Sequence, residues 1–569
     1  MKIFTHYLKM TEQLFHSRVN DVIPWQAKYP FPSQATKIHK QTTKFPPKNG
    51  GTFGSTGNGK VIRIEFPNDS YLNMLNSVLL FDMELKGAGY HAPRRHVLTV
   101  ATALGVTTMI LSAGGYDAIQ ATASYWKGGF IDIITGPARA GRVYQLLSYS
   151  SGGVITLNED LVLPDGTYLV DVHQGVRWQS GGAQEMIQNV RFMYGGLVLE
   201  EIRDYNGLAR IHVDAGMSAS YKSNSGRLLG GTSAGSFRND QISATSNVTE
   251  AGVEQRTRQA LQLMDNRNSQ KQRYALQLFT GLTSCRKLIP LKWMAAQFVM
   301  EITLADAQDC LIATQAYSTA DGVLEYEVTN VNFLAELLDF DSTFDTAFFV
   351  GLKSTGVPIK FSSWHTHTFN ITGSTITAQL MERARSVKSA LARVQTTDKS
   401  IYYDTHRGYF DVNSQFAAPS GSTLNATQLN ITGSTKNDVK QFQFRIGGKY
   451  YPAQPIDCQY GATEAYVEYL KTMDGLGDYT FSNDISPQQW HGITDSPSGG
   501  DKFTFATEFE HVDVFPDTIS GLNAEEQSDM AMMVTWNGNG AVGQKVLQVY
   551  VAYDALIVIR DGNVVNLIL

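Results

Sequence analysis

At 569 residues the chain is long enough for two or more domains with full cores, and 43 % apolar against 18 % charged residues is a folded, soluble composition that excludes a charge-rich disordered chain. The formal net charge of -6 is unremarkable, but residues 1–60 hold nine Lys/Arg (Lys2, Lys9, Arg18, Lys28, Lys37, Lys40, Lys44, Lys48, Lys60) against Glu12 and Asp21, so this stretch carries +7 and the remainder -13. Three widely spaced cysteines, Cys285, Cys310 and Cys458, exclude a disulfide framework and a CxxC metal pair, and fit a reducing compartment.

Residues 1–57 read as an arm. Ile3, Phe4, Tyr7, Leu8, Leu14 and Phe15 can line one face of a short helix, and Pro24, Pro30, Pro32, Pro46 and Pro47 then lead into a Gly/Ser/Asn-rich run at 49–59. A basic arm on an acidic body suits an anionic partner or the acidic body of a neighbouring copy; a solvated tail is the plain alternative. No N-terminal segment has the three parts of a secretion signal.

From residue 60 the signal is β. Strands are expected at 61–65, 78–85, 130–134, 154–157 and 161–170, the last with a tight turn at Pro164–Thr167. The uncharged run Val97–Ala113 is at the lower limit of a bilayer span, but its four threonines and Gly105 favour two buried strands joined at the glycine. Helices are expected at 250–266, 270–278, 375–394 and 463–473, the last with Thr463 as N-cap and Gly475 beyond its end. Further strands fall at 298–304, 323–329, 348–350, 359–361 and 503–505, and a hairpin at 556–568 closes the chain. Many short strands separated by turns argue for a sandwich or barrel.

The chain also repeats itself. QNVRFMYGG at 188–196 is echoed by QFQFRIGG at 441–448, with glycine pairs 252 positions apart, and 298–304 and 550–556 share that offset. Such a period is the length of a whole β domain. The boundary between the two copies is expected at 315–322.

Motifs for chemistry sit in the wrong context. Gly54–Lys60 (GSTGNGK) nearly spells a phosphate-binding loop, but Val61 follows where Ser/Thr is needed, and a strand replaces the helix. Gly231–Gly235 (GTSAG) matches a nucleophile elbow around Ser233, yet its flanks are polar loop. His365 and His367 share one strand face, a spacing metals can use, without a third ligand nearby in sequence. Asp339/Asp341 and Glu508/Glu510 look like solvated faces. No catalytic, cofactor or metal residue is therefore assigned.

Several segments together resemble the double jelly-roll major capsid proteins of icosahedral DNA viruses, in the polinton-like virus, adintovirus and virophage branch. They are 286–294 (RKLIPLKWM) running into 298–304, then 326–333 (YEVTNVNF) as the opening of a second roll, 383–391, 444–455 with the helix 463–473, and the final hairpin. The resemblance covers roughly 285–569; over 60–285 only the β pattern and the repeat support it. It implies an all-β fold of two tandem eight-stranded jelly rolls with a few short helices in loops, divided as arm 1–57, first roll 58–314 and second roll 323–569, each roll with its own core. It further implies a non-enzymatic capsid subunit located in the virion, forming a pseudo-hexagonal homotrimer that meets neighbouring capsomers and minor or penton proteins, with the arm toward an inner membrane or genome. A β-sandwich receptor- or carbohydrate-binding spike is the competing reading, and a hydrolase using Ser233 a third.

Overall fold

Period-two alternation sets the strands, and hydrogen-bond pairing sorts them into two sandwiches. The computed structural model describes residues 38–568 apart from 233–270, 314–324, 397–438, 491–501, 511–520 and shorter stretches in loops. The first sandwich starts with β1 (Ile38–Phe45), β2 (Thr52–Gly54), β3 (Val61–Phe66) and β4 (Tyr71–Lys86). In β3, Ile62, Ile64 and Phe66 turn into the core while Val61 and Arg63 face out.

An inserted module follows: β5 (Arg94–Ala103), β6 (Val106–Ser112), β7 (Phe130–Thr135), β8 (Val143–Tyr149), β9 (Val154–Leu157) and β10 (Gly166–His173). These six close into a barrel, in the order β10-β5-β6-β9-β8-β7. The barrel has its own core, with Leu98, Leu111, Trp126, Ile133 and Val170 among its residues. The first sandwich then resumes with β11 (Val176–Trp178), β12 (Ile187–Tyr194), β13 (Leu197–Ile202), helices α1 (Tyr205–Gly216), α2 (Ala219–Ser223) and α3 (Ser225–Gly230), and β14 (Gln272–Leu276). It ends with α4 (Gly281–Ser284), β15 (Phe298–Leu304), α5 (Ala307–Cys310), β16 (Leu311–Ala313) and β17 (Glu325–Phe340).

Helix α6 (Ser342–Ser354) leads to the second sandwich: β18 (Val357–Asn370), β19 (Thr375–Leu380), β20 (Val387–Thr396), β21 (Val439–Ile446), β22 (Lys449–Asp457), α7 (Thr463–Thr472), β23 (Phe505–Glu508), β24 (Met530–Trp536), β25 (Lys545–Arg560) and β26 (Asn563–Ile568).

The topology is duplicated. The first half has sheets β1-β17-β4-β14 and β3-β15-β12-β13; the second has β18-β25-β20-β23 and β19-β24-β21-β22. Ranked along the chain within each half, the eight strands run 1-8-3-6 in one sheet and 2-7-4-5 in the other, which is the jelly-roll order. Phe66 of β3 meets Phe333 of β17 across the first sandwich at 5.3 Å, and Phe442 of β21 meets Phe505 of β23 across the second at 5.1 Å.

One repeat seen in the sequence is structural. Tyr194 pairs with Leu197 and Ile446 with Lys449, so both glycine pairs close two-residue turns between the fourth and fifth strands. Gly195, Gly196, Gly447 and Gly448 all have positive φ, which only glycine adopts without penalty at both turn positions. The second pair of the repeat is not equivalent. Phe298–Leu304 is a seventh strand, whereas Tyr550–Leu556 lies in the eighth, and the true counterpart of β15 is β24. Loop lengths differ between the halves, so no single offset relates them.

Several expectations are corrected. Residues 38–45 and 52–54 are not arm but strands paired with β17; β1 is an edge strand with a mostly exposed pattern, hence its polar sequence. Residues 325–340 do not open the second sandwich. They pair with β4 from Tyr71 to Lys86, so the passage between halves lies at α6 rather than at 315–322, which is outside the described residues. The helix expected at 270–278 is strand β14, and the one at 375–394 is β19 and β20; sheet pairing overrides the local preference. The strand expected at 348–350 belongs to α6, and the strand expected at 503–505 starts at Phe505. Helix α7 forms where expected, with Ala462 rather than Thr463 at its N-cap. Val97–Ala113 is indeed two paired strands, and among the described residues no helix is long and apolar enough to cross a membrane. The helix at 250–266 and residues 1–37 lie outside the described residues. The two cores are also not separate: apolar contact runs unbroken from Phe53 to Ile559, although among the described residues no sheet includes strands of both halves.

Separate packing predicts separate stability. Ile133→Ala should cost the barrel about 2–5 kcal/mol. Amide exchange should accelerate within 94–173 and stay unchanged in β15 and β25; uniform acceleration would contradict a barrel core independent of the sandwiches.

Candidate functional site: the seam between the sandwiches

The two sandwiches meet along a buried seam centred on β25. Every residue from Val546 to Ala555 is buried, so both faces of this strand are covered. A strand exposed on one face would alternate. The Tyr550 hydroxyl reaches across to donate to the Asp204 carbonyl at 3.1 Å, and the Thr366 hydroxyl donates to the Arg203 carbonyl at 2.7 Å. Near the last turn, Ala295 N–H donates to the Gly562 carbonyl at 2.8 Å, and that carbonyl also accepts from the Tyr194 hydroxyl.

Glu200, buried on β13, ties three elements together. It accepts from Gly281 N–H at 2.6 Å, Leu282 N–H at 3.0 Å and the Ser363 hydroxyl at 2.6 Å. Burial pushes its carboxyl above the usual range, against the pull of these donors. The contact is close: a Cβ on Gly281 would stand 2.2 Å from the Ser362 carbonyl oxygen. Farther along, Asp214 of α1 faces Lys222 at 3.5 Å and Arg210 at 3.9 Å from its own half and Lys502 at 3.3 Å from the other. Burial alone would raise the Asp214 carboxyl; the cations hold it below its ordinary value.

The sequence candidates fall as follows. His365 and His367 lie on β18, and the fold brings in the carboxylate that the local sequence lacked: Glu382 sits 3.0 Å from His365 Nδ1 and 3.5 Å from His367 Nε2. Among the described residues no group of three His, Cys, Asp or Glu is placed to hold a metal. Burial would raise the Glu382 carboxyl, but bonds from His365, His367 and Ala384 N–H overcome it and hold it well below the usual carboxylate range. Lys60 of the glycine-rich run pairs with Asp306, and β3 follows it with no helix. Ser233 lies outside the described residues, while Gly231 packs against Trp178. Asp339 stands opposite His39 in the β1–β17 ladder, and Asp341 accepts from Phe344 N–H at 2.9 Å, capping α6. Glu508 and Glu510 line a cavity at the seam. Cys285, Cys310 and Cys458 are buried, unbridged thiols.

No protein-family model and no curated protein matches the sequence. Solved structures do match. The Faustovirus major capsid protein aligns with TM-score 0.52 at 9 % identity, covering 95 % of this chain and 94 % of that one. The PBCV-1 virus capsid aligns with TM-score 0.49 at 10 % identity over 94 % and 98 %, and the mavirus major capsid protein with 0.43 at 9 % over 95 % and 94 %. The chain therefore has the double jelly-roll fold, a likeness that at this identity concerns the fold alone.

Glu200→Ala should destabilise the protein by roughly 2–4 kcal/mol in urea unfolding, because two amides and a hydroxyl lose their acceptor; an unchanged midpoint would show that the tie is not needed. Glu382 gives a pH dependence. Its folded value is depressed below the ordinary 4.5, so its stabilisation is present above that pH and is lost as pH falls toward the folded value. Glu382→Gln should flatten part of the fall in stability between pH 5 and pH 3 and leave its slope near pH 7 unchanged.

Proposed function

We propose that this chain is a structural, non-enzymatic subunit of an icosahedral viral shell, a major capsid protein acting within the virion. The observation that carries the reading is the doubled jelly roll, with both copies docked side by side on one buried seam. The fold it shares with the Faustovirus major capsid protein supports it. In this reading the rolls span 38–340 and 357–568, and three chains form a ring of six rolls, so that threefold symmetry fills a sixfold lattice position. Neighbouring capsomers are then the main partners, with minor or penton proteins at the vertices. Residues 1–37 carry five Lys/Arg against Glu12 and Asp21, a charge suited to a genome or an anionic membrane beneath the shell.

Native mass spectrometry of the purified chain should give three copies of 62.8 kDa, and negative-stain images should show a hexagonal outline. A monomer at micromolar concentration, or an elongated rod suited to a spike or fibre, would overturn the proposal.

A further inference from the structure

An apolar stripe runs from the first residue of β1 along α6. Ile38 stands opposite Phe340, the last residue of β17. The Phe340 ring stacks on Phe344 of α6 at 4.2 Å, and Phe344 stacks on Phe348 at 5.9 Å. Tyr71 packs edge-on against all three phenylalanines. Even so, Phe340, Phe344, Phe348 and Phe349 are only half-buried, Ile38 is 50 % exposed and Val350 is 62 % exposed.

A helix facing water normally carries charge on its outer face. From Ser342 to Val350 the exposed positions of α6 are Ser342, Thr343, Thr346, Ala347 and Val350, none of them charged. Asp345 accepts from the Tyr71 hydroxyl and pairs with Lys292, and Lys353 folds its ammonium over the Phe349 ring at 4.5 Å.

β1 and β17 are antiparallel, so the chain leaving Ile38 toward its N-terminus advances in the same direction as the chain leaving Phe340 into α6. One further step of the ladder puts Lys37 beside Asp341, next to Asp339. Residues 22–37 (VIPWQAKYPFPSQATK) hold Trp25, Tyr29 and Phe31, with Lys28 and Lys37 and no acid. Phe31 lies seven residues from Ile38, a reach of at most about 23–25 Å, and the 13-residue α6 is about 20 Å long.

We propose that residues 25–37 of the same chain cover this stripe, with Tyr29 and Phe31 packed against Phe344, Phe348 and Val350 and with Lys37 at Asp341. So short a tether gives an effective concentration on the order of millimolar, which favours a chain's own segment over that of a second copy. The contact forms within one chain and is independent of any shell-building role. Lys2, Lys9 and Arg18 stay upstream of the docked stretch.

A cysteine pair in the full chain tests it. With Phe31→Cys and Val350→Cys, mild oxidation should give a disulfide within one chain, read by non-reducing digestion and mass spectrometry; Cys285, Cys310 and Cys458 are buried and give little background. Phe31→Cys with Val154→Cys, an exposed site on the barrel, is the control and should give at least tenfold less. Independently, the double variant Tyr29→Ser, Phe31→Ser should speed amide exchange in α6 at least tenfold and leave β25 unchanged. A bond joining two chains would place the segment on a second copy and overturn the proposal, as would a yield no higher than the control or unchanged exchange in α6.

Discussion

Covering both faces of a single strand is the constraint on which the rest of this structure depends. In an isolated sandwich, β25 would present one face to its own core and the other to water. Here the second face is closed by the first sandwich, and the polar groups trapped there must find partners. Glu200, Asp204 and Asp214 supply or receive those bonds, and each does so across the joint. Apolar area provides the adhesion between the sandwiches; the buried carboxylates fix their register, since each accepts only from donors at one relative position.

Much of the architecture was legible in the sequence. Alternation in 61–65 and at the end of 78–85 marks strands, and paired glycines at 195–196 and 447–448 mark the same hairpin twice. What was hidden had physical causes. β1 buries almost nothing, so IHKQTTKF carries no period-two signal. The stretch 375–394 holds alanine and arginine that read as helix, and only its neighbours in two sheets make it β19 and β20. In sequence β17 looks like any opening strand; its identity as an eighth strand lies in its pairing with β4, a contact across more than two hundred residues.

The site followed the same pattern. His365 and His367 are visible as a pair, but Glu382 reaches them from the connection between β19 and β20, and no spacing rule links the three. Glu508 and Glu510 looked like a solvated face because an exposed and a seam-facing strand have similar composition. The seam was invisible for a general reason: residues buried between two sandwiches are as mixed in polarity as a surface, and only their partners distinguish them.

The barrel at 94–173 is attached in a particular way. Its first and last strands are hydrogen-bonded neighbours, Arg94 opposite Val172, with Arg95 forking onto Asp171 at 2.8 and 2.9 Å. Both connections to the host thus leave from one narrow neck. A module held so can drift in sequence, lengthen its loops or be exchanged wholesale while the host registers only two adjacent tethering points. Evolutionary change in this part of the molecule is thereby uncoupled from the scaffold that carries it.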